Sequence, residues 1–265
     1  MYKIGIIGVG NMGEAILRAI IDKTSIKKSQ IVAFDIDKQK LKTIEKNYQI
    51  KTTNTPKTVT KAKYIFVVVK PKDYKTTLDT LKKYLSKENV LISVIAGIKI
   101  ENIKKIIKKE IPIVRIMPNT PMLIGEGTIG VTFDKNVKSQ QRKYLSELFS
   151  KLGETIFVDE EIIDTVTGLS GSGPAYVFTF IDAMAQGGVK MGLSYEDALK
   201  LAVQTVIGSA KMIKELNQHP SVLRDKVTSP AGTTIYGLHE LEKKGLKDAV
   251  ISAIETATLR SKNLS

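Results

Sequence analysis

Ile4-Gly5-Ile6-Ile7-Gly8-Val9-Gly10-Asn11-Met12-Gly13 sets an apolar run directly before glycines spaced G-x-G-x-x-G, with a stretch of helical period behind them. That order of parts is the first strand-to-helix turn of a dinucleotide-binding sheet. Each glycine has its own task there. Gly8 permits the tight turn, Gly10 lets the backbone approach a pyrophosphate, and Gly13 lets the helix pack closely on the strand. The phosphates would face unpaired N–H groups at the helix start. Gly8, Gly10, Asn11, Met12 and Gly13 are therefore candidate cofactor residues.

Working outward, Val- and Ile-rich runs alternate with helical stretches, the pattern of parallel strands joined by crossover helices. Strands are predicted over 3–8, 30–35, 64–70, 90–96, 113–117, 128–133 and 154–158, and helices over 11–22, 37–48, 74–85, 101–109 and 139–152. The first five strand runs are mostly unbroken and apolar, as expected when both faces are covered. After Asp159 no further β-branched run appears, and the remainder reads as helices separated by Gly and Pro. The expected fold is α/β: a Rossmann-like, mostly parallel sheet domain over 1–159, followed by an all-α domain over 160–265.

The second strand ends at Asp35, where such folds place the residue that meets the adenosine ribose. A carboxylate there accepts from ribose hydroxyls and repels a 2′-phosphate, which leans the cofactor toward NADH over NADPH, although Lys38 and Lys40 follow closely. The competing reading of Asp35 is a cap for the turn after its strand. Val69-Lys70-Pro71, Ala96-Gly97 and Met117-Pro118-Asn119-Thr120-Pro121 fall at carboxyl ends of later strands, the edge where open parallel sheets bind ligands. Val69, Lys70, Pro71, Ala96, Gly97 and Asn119 join the cofactor candidates, with simple strand termination as the competing reading of the prolines.

Composition narrows the chemistry. The 265 residues contain no cysteine and two histidines, which excludes disulfides and thiolate zinc and predicts no metal site. The net charge of +14 raises the question of nucleic acid. Only Arg18, Arg115, Arg142, Arg224 and Arg260 are arginine, however, and the lysines are dispersed without interleaved aromatics, so a solvated surface and no nucleic-acid partner are expected. No apolar run reaches the about 18 residues of a spanning helix, and the first residues show no cleavable signal, so no membrane partner and a cytoplasmic location are expected.

In the helical part, a helix is predicted from Gly173-Pro174 toward Met191, and another from Ser194 to about Leu216, with Ser194 and Asp197 resembling a capping box. In the second helix, Leu199, Leu201, Ala202, Val203, Val206, Ile207, Ala210, Met212 and Ile213 cover more than one face. Such a helix is expected to pack against a second copy of the chain, giving a homodimer or a dimer-based oligomer. Two clusters, Leu169-Ser170-Gly171-Ser172-Gly173-Pro174-Ala175 and Thr228-Ser229-Pro230-Ala231-Gly232-Thr233-Thr234-Ile235, place hydroxyls and backbone N–H groups at helix starts, receptors suited to a carboxylate. The first reads as a flexible turn. His219-Pro220 reads as a turn between helices, and His239 as a packing residue in a helix over 237–244.

These segments carry a resemblance. Thr167-Gly168-Leu169-Ser170-Gly171-Ser172-Gly173-Pro174-Ala175-Tyr176, Gly188-Val189-Lys190-Met191-Gly192-Leu193, Gly208-Ser209-Ala210-Lys211-Met212, His219-Pro220 and Asp225-Lys226-Val227-Thr228 through Ile235 are similar in order and spacing to the helical domain of the pyrroline-5-carboxylate reductases of proline biosynthesis. The resemblance covers the whole chain. It implies NADH- or NADPH-dependent reduction of the cyclic imine of 1-pyrroline-5-carboxylate to L-proline, by hydride transfer to the protonated C=N bond. It further implies that Thr234 hydrogen-bonds the ring nitrogen as the catalytic residue. Ser170, Gly171, Ser172, Gly173, Ser229, Gly232, Thr233 and Thr234 would bind the substrate, and interlaced helical domains would form the dimer. Two departures stand out: Ala231 replaces a frequent glycine and is expected to fit only at negative φ, and Asp35 stands where many members carry Ser or Thr. The alternatives are another small nicotinamide oxidoreductase, such as an imine reductase or hydroxyacid dehydrogenase, and a binding protein that kept the fold and lost catalysis.

Overall fold

The structure, a computed structural model, describes residues 2–264. Strand β1 (Ile4–Ile7) is buried throughout and pairs in parallel with both β2 (Ile31–Phe34) and β4 (Tyr64–Val67). Eight strands form one sheet in the order β3-β2-β1-β4-β5-β6-β7-β8, with β3 at Lys51–Thr53, β5 at Val90–Ser93, β6 at Ile113–Pro118, β7 at Thr128–Phe133 and β8 at Glu154–Phe157. Among the described residues only the β6–β7 pairing is antiparallel, in line with the mostly parallel expectation. The chain leaves β1 toward β2 on one side and returns as β4 on the other. This reversal makes the carboxyl ends of β1 and β4 the switch point where such sheets bind ligands.

Alternate residues of the strands feed opposite cores. Ile4, Ile6 and Phe66 pack on one side with Ile16 of α1 (Asn11–Lys23) and Phe149 of α6 (Ser139–Leu152). Ile7, Ile65 and Val67 pack on the other with Leu78 of α4 (Tyr74–Leu81) and Ile103 of α5 (Ile100–Ile107). Coverage on both faces explains the unbroken apolar runs. Several predicted strands end early, at Val67 and Ser93 instead of 70 and 96, which frees their last residues to form loops at the ligand edge. The short edge strand β3 and helix α3 (Pro56–Val59) were not expected from the sequence. Between them and β2 lies α2 (Lys38–Tyr48), capped by Asp37, whose carboxylate accepts from the N–H groups of Gln39 and Lys40.

The chain forms two compact units, one running to Ser172 and taking up Glu255 onward, the other spanning Gly173–Ile254. The compact units thus divide 13 residues past the boundary expected at 159. Past that point α7 (Ile163–Val166) is still anchored to the sheet, because Ile163 and Val166 bury themselves against Met117. Gly130 on β7 leaves the room: a Cβ there would stand 2.8 Å from Val166 Cγ1.

The second unit is built from α8 (Gly173–Lys190), α9 (Tyr195–Leu216), α10 (Pro220–Lys226), α11 (Thr233–Lys243) and the first part of α12 (Leu246–Lys262). Ser194 caps α9 by accepting from Asp197 N–H, while its hydroxyl donates to the Asp197 carboxylate. The shorter Asp side chain thus engages the hydroxyl and not the backbone N–H that a Glu would reach. In α9 only Ala198 and Ala202 are buried, and Leu201, Ile207, Met212 and Ile213 stay exposed. No helix among the described residues is long and apolar enough to cross a membrane.

Candidate functional site

The glycine loop is shaped as the spacing predicts. Gly8 has φ +92°, and a Cβ there would overlap the Val68 carbonyl oxygen; a Cβ on Gly13 would overlap the Gly8 carbonyl oxygen. Gly10, at the N-cap of α1, meets nothing within 4 Å of where its Cβ would lie and carries no side-chain cap. Its bare face opens on a cleft of about 660 Å³ bordered by Gly8, Asp35, Val69 and Lys70. A cradle that a Cβ would fill, beside uncapped N–H groups of a 13-residue helix, fits a dinucleotide pyrophosphate. Exposed Asn11 and half-buried Met12 begin that helix, and Pro71 opens the short 3-10 turn after Lys70.

Asp35 caps the turn after β2 and lies on the border of the cleft. One carboxylate oxygen accepts from Val9 N–H at 2.8 Å and the other from Asp37 N–H at 2.9 Å. It therefore fastens the glycine loop to the end of β2 while bordering the cleft. Glu14, one turn into α1, is an acid near a phosphate site, and Tyr48 donates to it at 2.8 Å. Burial, reinforced by Glu14, pushes the Tyr48 phenol up to about 12, so it remains a donor and holds Glu14 aside.

Two predicted cofactor residues are otherwise engaged. Gly97, at φ +75°, is buried under the end of α12: its Cβ would stand 2.6 Å from both the Ser261 carbonyl oxygen and Leu264 Cβ. Asn119 engages both ends of its side-chain amide inside the protein, Oδ1 accepting from Thr128 N–H at 2.8 Å and Nδ2 donating to the Ser170 carbonyl at 3.1 Å. Ala96 packs against the group formed by Met117, Ile163 and Val166.

The Ser/Gly segment is ordered, which corrects the flexible turn expected there. Thr167–Gly171 is a π-helical turn continuing α7, with Ser172 N–H reaching the Thr167 carbonyl at 2.9 Å. The Ser170 hydroxyl donates to the Val166 carbonyl at 3.0 Å. Such widened turns recur at functional sites. Gly173 then begins α8 in the helical unit.

The second cluster lies wholly in the helical unit. Gly232 is the N-cap of α11 and carries no side-chain cap, so Thr233 and half-buried Thr234 occupy a helix start open to an acceptor. A Cβ on Gly232 would overlap Ser229 Oγ, which brings that hydroxyl against the cap. Helix α11 begins four residues before the expected 237, and His219 caps α10 through Nδ1 accepting from Ser221 N–H. Ala231 has φ +57°, contrary to the expectation of negative φ. The tight turn into Gly232 imposes the left-handed conformation, which costs a non-glycine residue about 1 kcal/mol. Ala231→Gly is accordingly expected to stabilise the protein by about 0.5–1 kcal/mol, read as a higher denaturation midpoint at fixed protein concentration; an unchanged or lower midpoint would remove the strain.

One group escaped the sequence reading. Arg115 on β6 is fully buried, with Nη2 on Asp164 Oδ1 at 2.9 Å and Nη1 on Glu160 Oε1 at 3.4 Å. Asp164 Oδ1 also accepts from the Ser261 hydroxyl at 2.8 Å, and Glu160 Oε1 from Ile100 N–H at 2.6 Å. The signal was present: a lone charge in the apolar run 113–117 of a doubly covered strand must meet a buried counter-charge.

A glycine cradle at the switch point of a parallel sheet, followed in the chain by a helical unit with uncovered apolar faces, defines a nicotinamide dinucleotide oxidoreductase with a helical association domain. Residues 3–97 match the family described as NADP oxidoreductase coenzyme F420-dependent, and residues 160–264 match pyrroline-5-carboxylate reductase dimerisation. The chain is 38% identical to a pyrroline-5-carboxylate reductase of Methanosarcina acetivorans, over 99% of this chain and 97% of that protein. It is 37% identical to one of Arabidopsis thaliana, over 100% and 96%. The crystal structure of Plasmodium falciparum pyrroline carboxylate reductase with NADP bound superposes with a TM-score of 0.91 at 35% identity, covering 99% of this chain and 98% of that one. The chain belongs to the pyrroline-5-carboxylate reductase family.

Proposed function

We propose that this protein is a cytoplasmic, dimer-forming reductase that converts 1-pyrroline-5-carboxylate to L-proline at the expense of a reduced nicotinamide dinucleotide. The observation that carries the reading is the pairing, in one chain, of the bare glycine cradle with the uncapped start of α11 at Gly232-Thr233-Thr234. A bound nicotinamide would supply the hydride; a protonated C=N bond already accepts one readily, so the protein's task is placement more than acid catalysis. Gly8, Gly10, Asn11, Met12 and Gly13 receive the pyrophosphate. Val69, Lys70, Pro71 and Ala96 border the rest of the dinucleotide. Ser170, Gly171, Ser172 and Gly173, with Ser229, Gly232 and Thr233, offer the substrate carboxylate backbone N–H groups and the hydroxyls of Ser172, Ser229 and Thr233, and Thr234 accepts from the protonated ring nitrogen and then steadies the neutral amine.

Asp35 supports NADH as the preferred cofactor. Two backbone N–H groups fix its carboxylate at the cleft, where a 2′-phosphate would meet its charge. The deciding experiment is the initial rate with racemic pyrroline-5-carboxylate and matched NADH or NADPH. Formation of proline tests the reaction, and a faster rate with NADPH would remove Asp35 as the ribose reader. Thr234→Ala is expected to lower kcat/KM at least tenfold, a loss of about 1.4 kcal/mol of transition-state stabilisation; a change within twofold would discard its role. The exposed apolar side chains of α9 support association through the helical unit. Light scattering at micromolar concentration should give a dimer or larger species, and a monomer would refute this.

A further inference from the structure

We propose that Asn119 is a positioning residue whose side-chain amide sets the π-turn Thr167–Gly171, the turn that presents Ser170 and Gly171 to the substrate; this rests on the reading of those residues given above. Asn119 lies just past β6 and is 7% exposed. Both ends of its amide are committed, and the partners fix its orientation: Thr128 N–H can only donate, to Oδ1, and the Ser170 carbonyl can only accept, from Nδ2. These two bonds turn the amide toward the π-turn, in a side chain that is almost wholly buried.

The Ser170 carbonyl needs that donor for a reason written in the chain. In a regular helix it would accept from the N–H four residues on, but residue 174 is proline and has none. At this same place the turn widens, Ser172 N–H reaching back five residues to Thr167. The Ser170 hydroxyl is itself spent on Val166. Asn119, 51 residues away in sequence, supplies the missing hydrogen from the end of a rigid strand. Met117, two residues earlier on the same strand, supports the turn from beneath, with Sδ 3.6 Å from where a Cβ on Gly171 would lie. The segment is thereby registered against the sheet edge by that hydrogen bond, with Met117 packed on Val166 at the turn's start.

The test uses the full-length protein and two variants. Asn119→Asp keeps an acceptor for Thr128 N–H and loses the donor to Ser170; Asn119→Ala loses both. In each, KM for pyrroline-5-carboxylate should rise at least tenfold with kcat within threefold, while the dinucleotide Kd, measured without substrate, stays within twofold. Amide exchange over residues 167–173 should quicken, with the glycine loop over 5–13 unchanged. Unchanged exchange over 167–173 in Asn119→Asp overturns the proposal, as does a dinucleotide Kd that moves as much as KM. Loss of the fold in both variants also overturns it, because a role confined to one turn cannot remove the sheet. Failure of the parent protein to reduce pyrroline-5-carboxylate would instead count against the substrate reading, and the exchange measurement would still decide whether Asn119 holds the turn.

Discussion

Asp164→Ala is expected to be the most destabilising single substitution considered, lowering stability by about 3–5 kcal/mol. The carboxylate it removes is the close partner of Arg115, whose side chain is 1% exposed. What remains is the 3.4 Å contact to Glu160, an acid already shared with Ile100 N–H, and an Nε without a partner among the described residues. A guanidinium cannot shed its charge to escape burial. The Ser261 hydroxyl loses its acceptor in the same step, and Ser261 lies on the stretch of α12 that closes over Gly97. The loss therefore spreads from β6 through α7 to the last helical turn. Thermal melting at fixed protein concentration should show a fall on the order of 10 °C. Arg115→Met in the Asp164→Ala background should recover much of it, since the cost lies in the stranded cation and not in a missing attraction. A fall below about 2 °C for the single variant would show that Arg115 finds water or another partner, and that the network does not hold the C-terminal helix.

The residues legible in the sequence were those whose role is local. Gly8, Gly10 and Gly13 act on their own backbone and immediate neighbours, so their spacing was enough to place the turn. The first five apolar runs located their strands because both faces of the sheet are covered there. Lys51-Thr52-Thr53 was missed because β3 is a short edge strand with one exposed and two half-buried residues, and carries no apolar period. The π-turn was read as flexible because Ser and Gly favour turns by themselves, whereas the contacts that order it come from Asn119 and Met117 on a distant strand. Ala231 was assigned the wrong sign of φ for the opposite reason: residue type argued against a conformation that the following cap imposes. The turn-capping role of Asp35 is local too, and its two oxygens fill it by accepting from Val9 and Asp37 N–H groups. The helical unit was legible through its surplus of apolar faces, which a single chain leaves open.

Gly10→Ala and Gly13→Ala should both weaken dinucleotide binding, but only the second should disturb the fold. Gly10 has φ −70°, which any residue adopts, and open space where its Cβ would go. Alanine there should leave folding stability within about 1 kcal/mol, while its methyl group occupies the approach of the pyrophosphate to the N–H groups of α1. Dinucleotide Kd should rise about 30-fold, close to 2 kcal/mol. Gly13 is buried, and its added methyl would overlap the Gly8 carbonyl oxygen, a backbone atom with no rotamer to yield. Helix propensity favours alanine there by about 1 kcal/mol, but overpacking against backbone costs about 1–3 kcal/mol and cannot be relieved without moving Gly8. Gly8 in turn stands against Val68, at the end of the neighbouring strand, so the displacement reaches the second wall of the cleft. Gly13→Ala should therefore lose binding and stability together, and Gly10→Ala binding alone. Fluorescence titration with the reduced dinucleotide, paired with thermal melting of the unliganded variants, separates the two. Tight binding by Gly10→Ala would mean that the phosphates do not pass over the start of α1, and would move the dinucleotide out of this cleft.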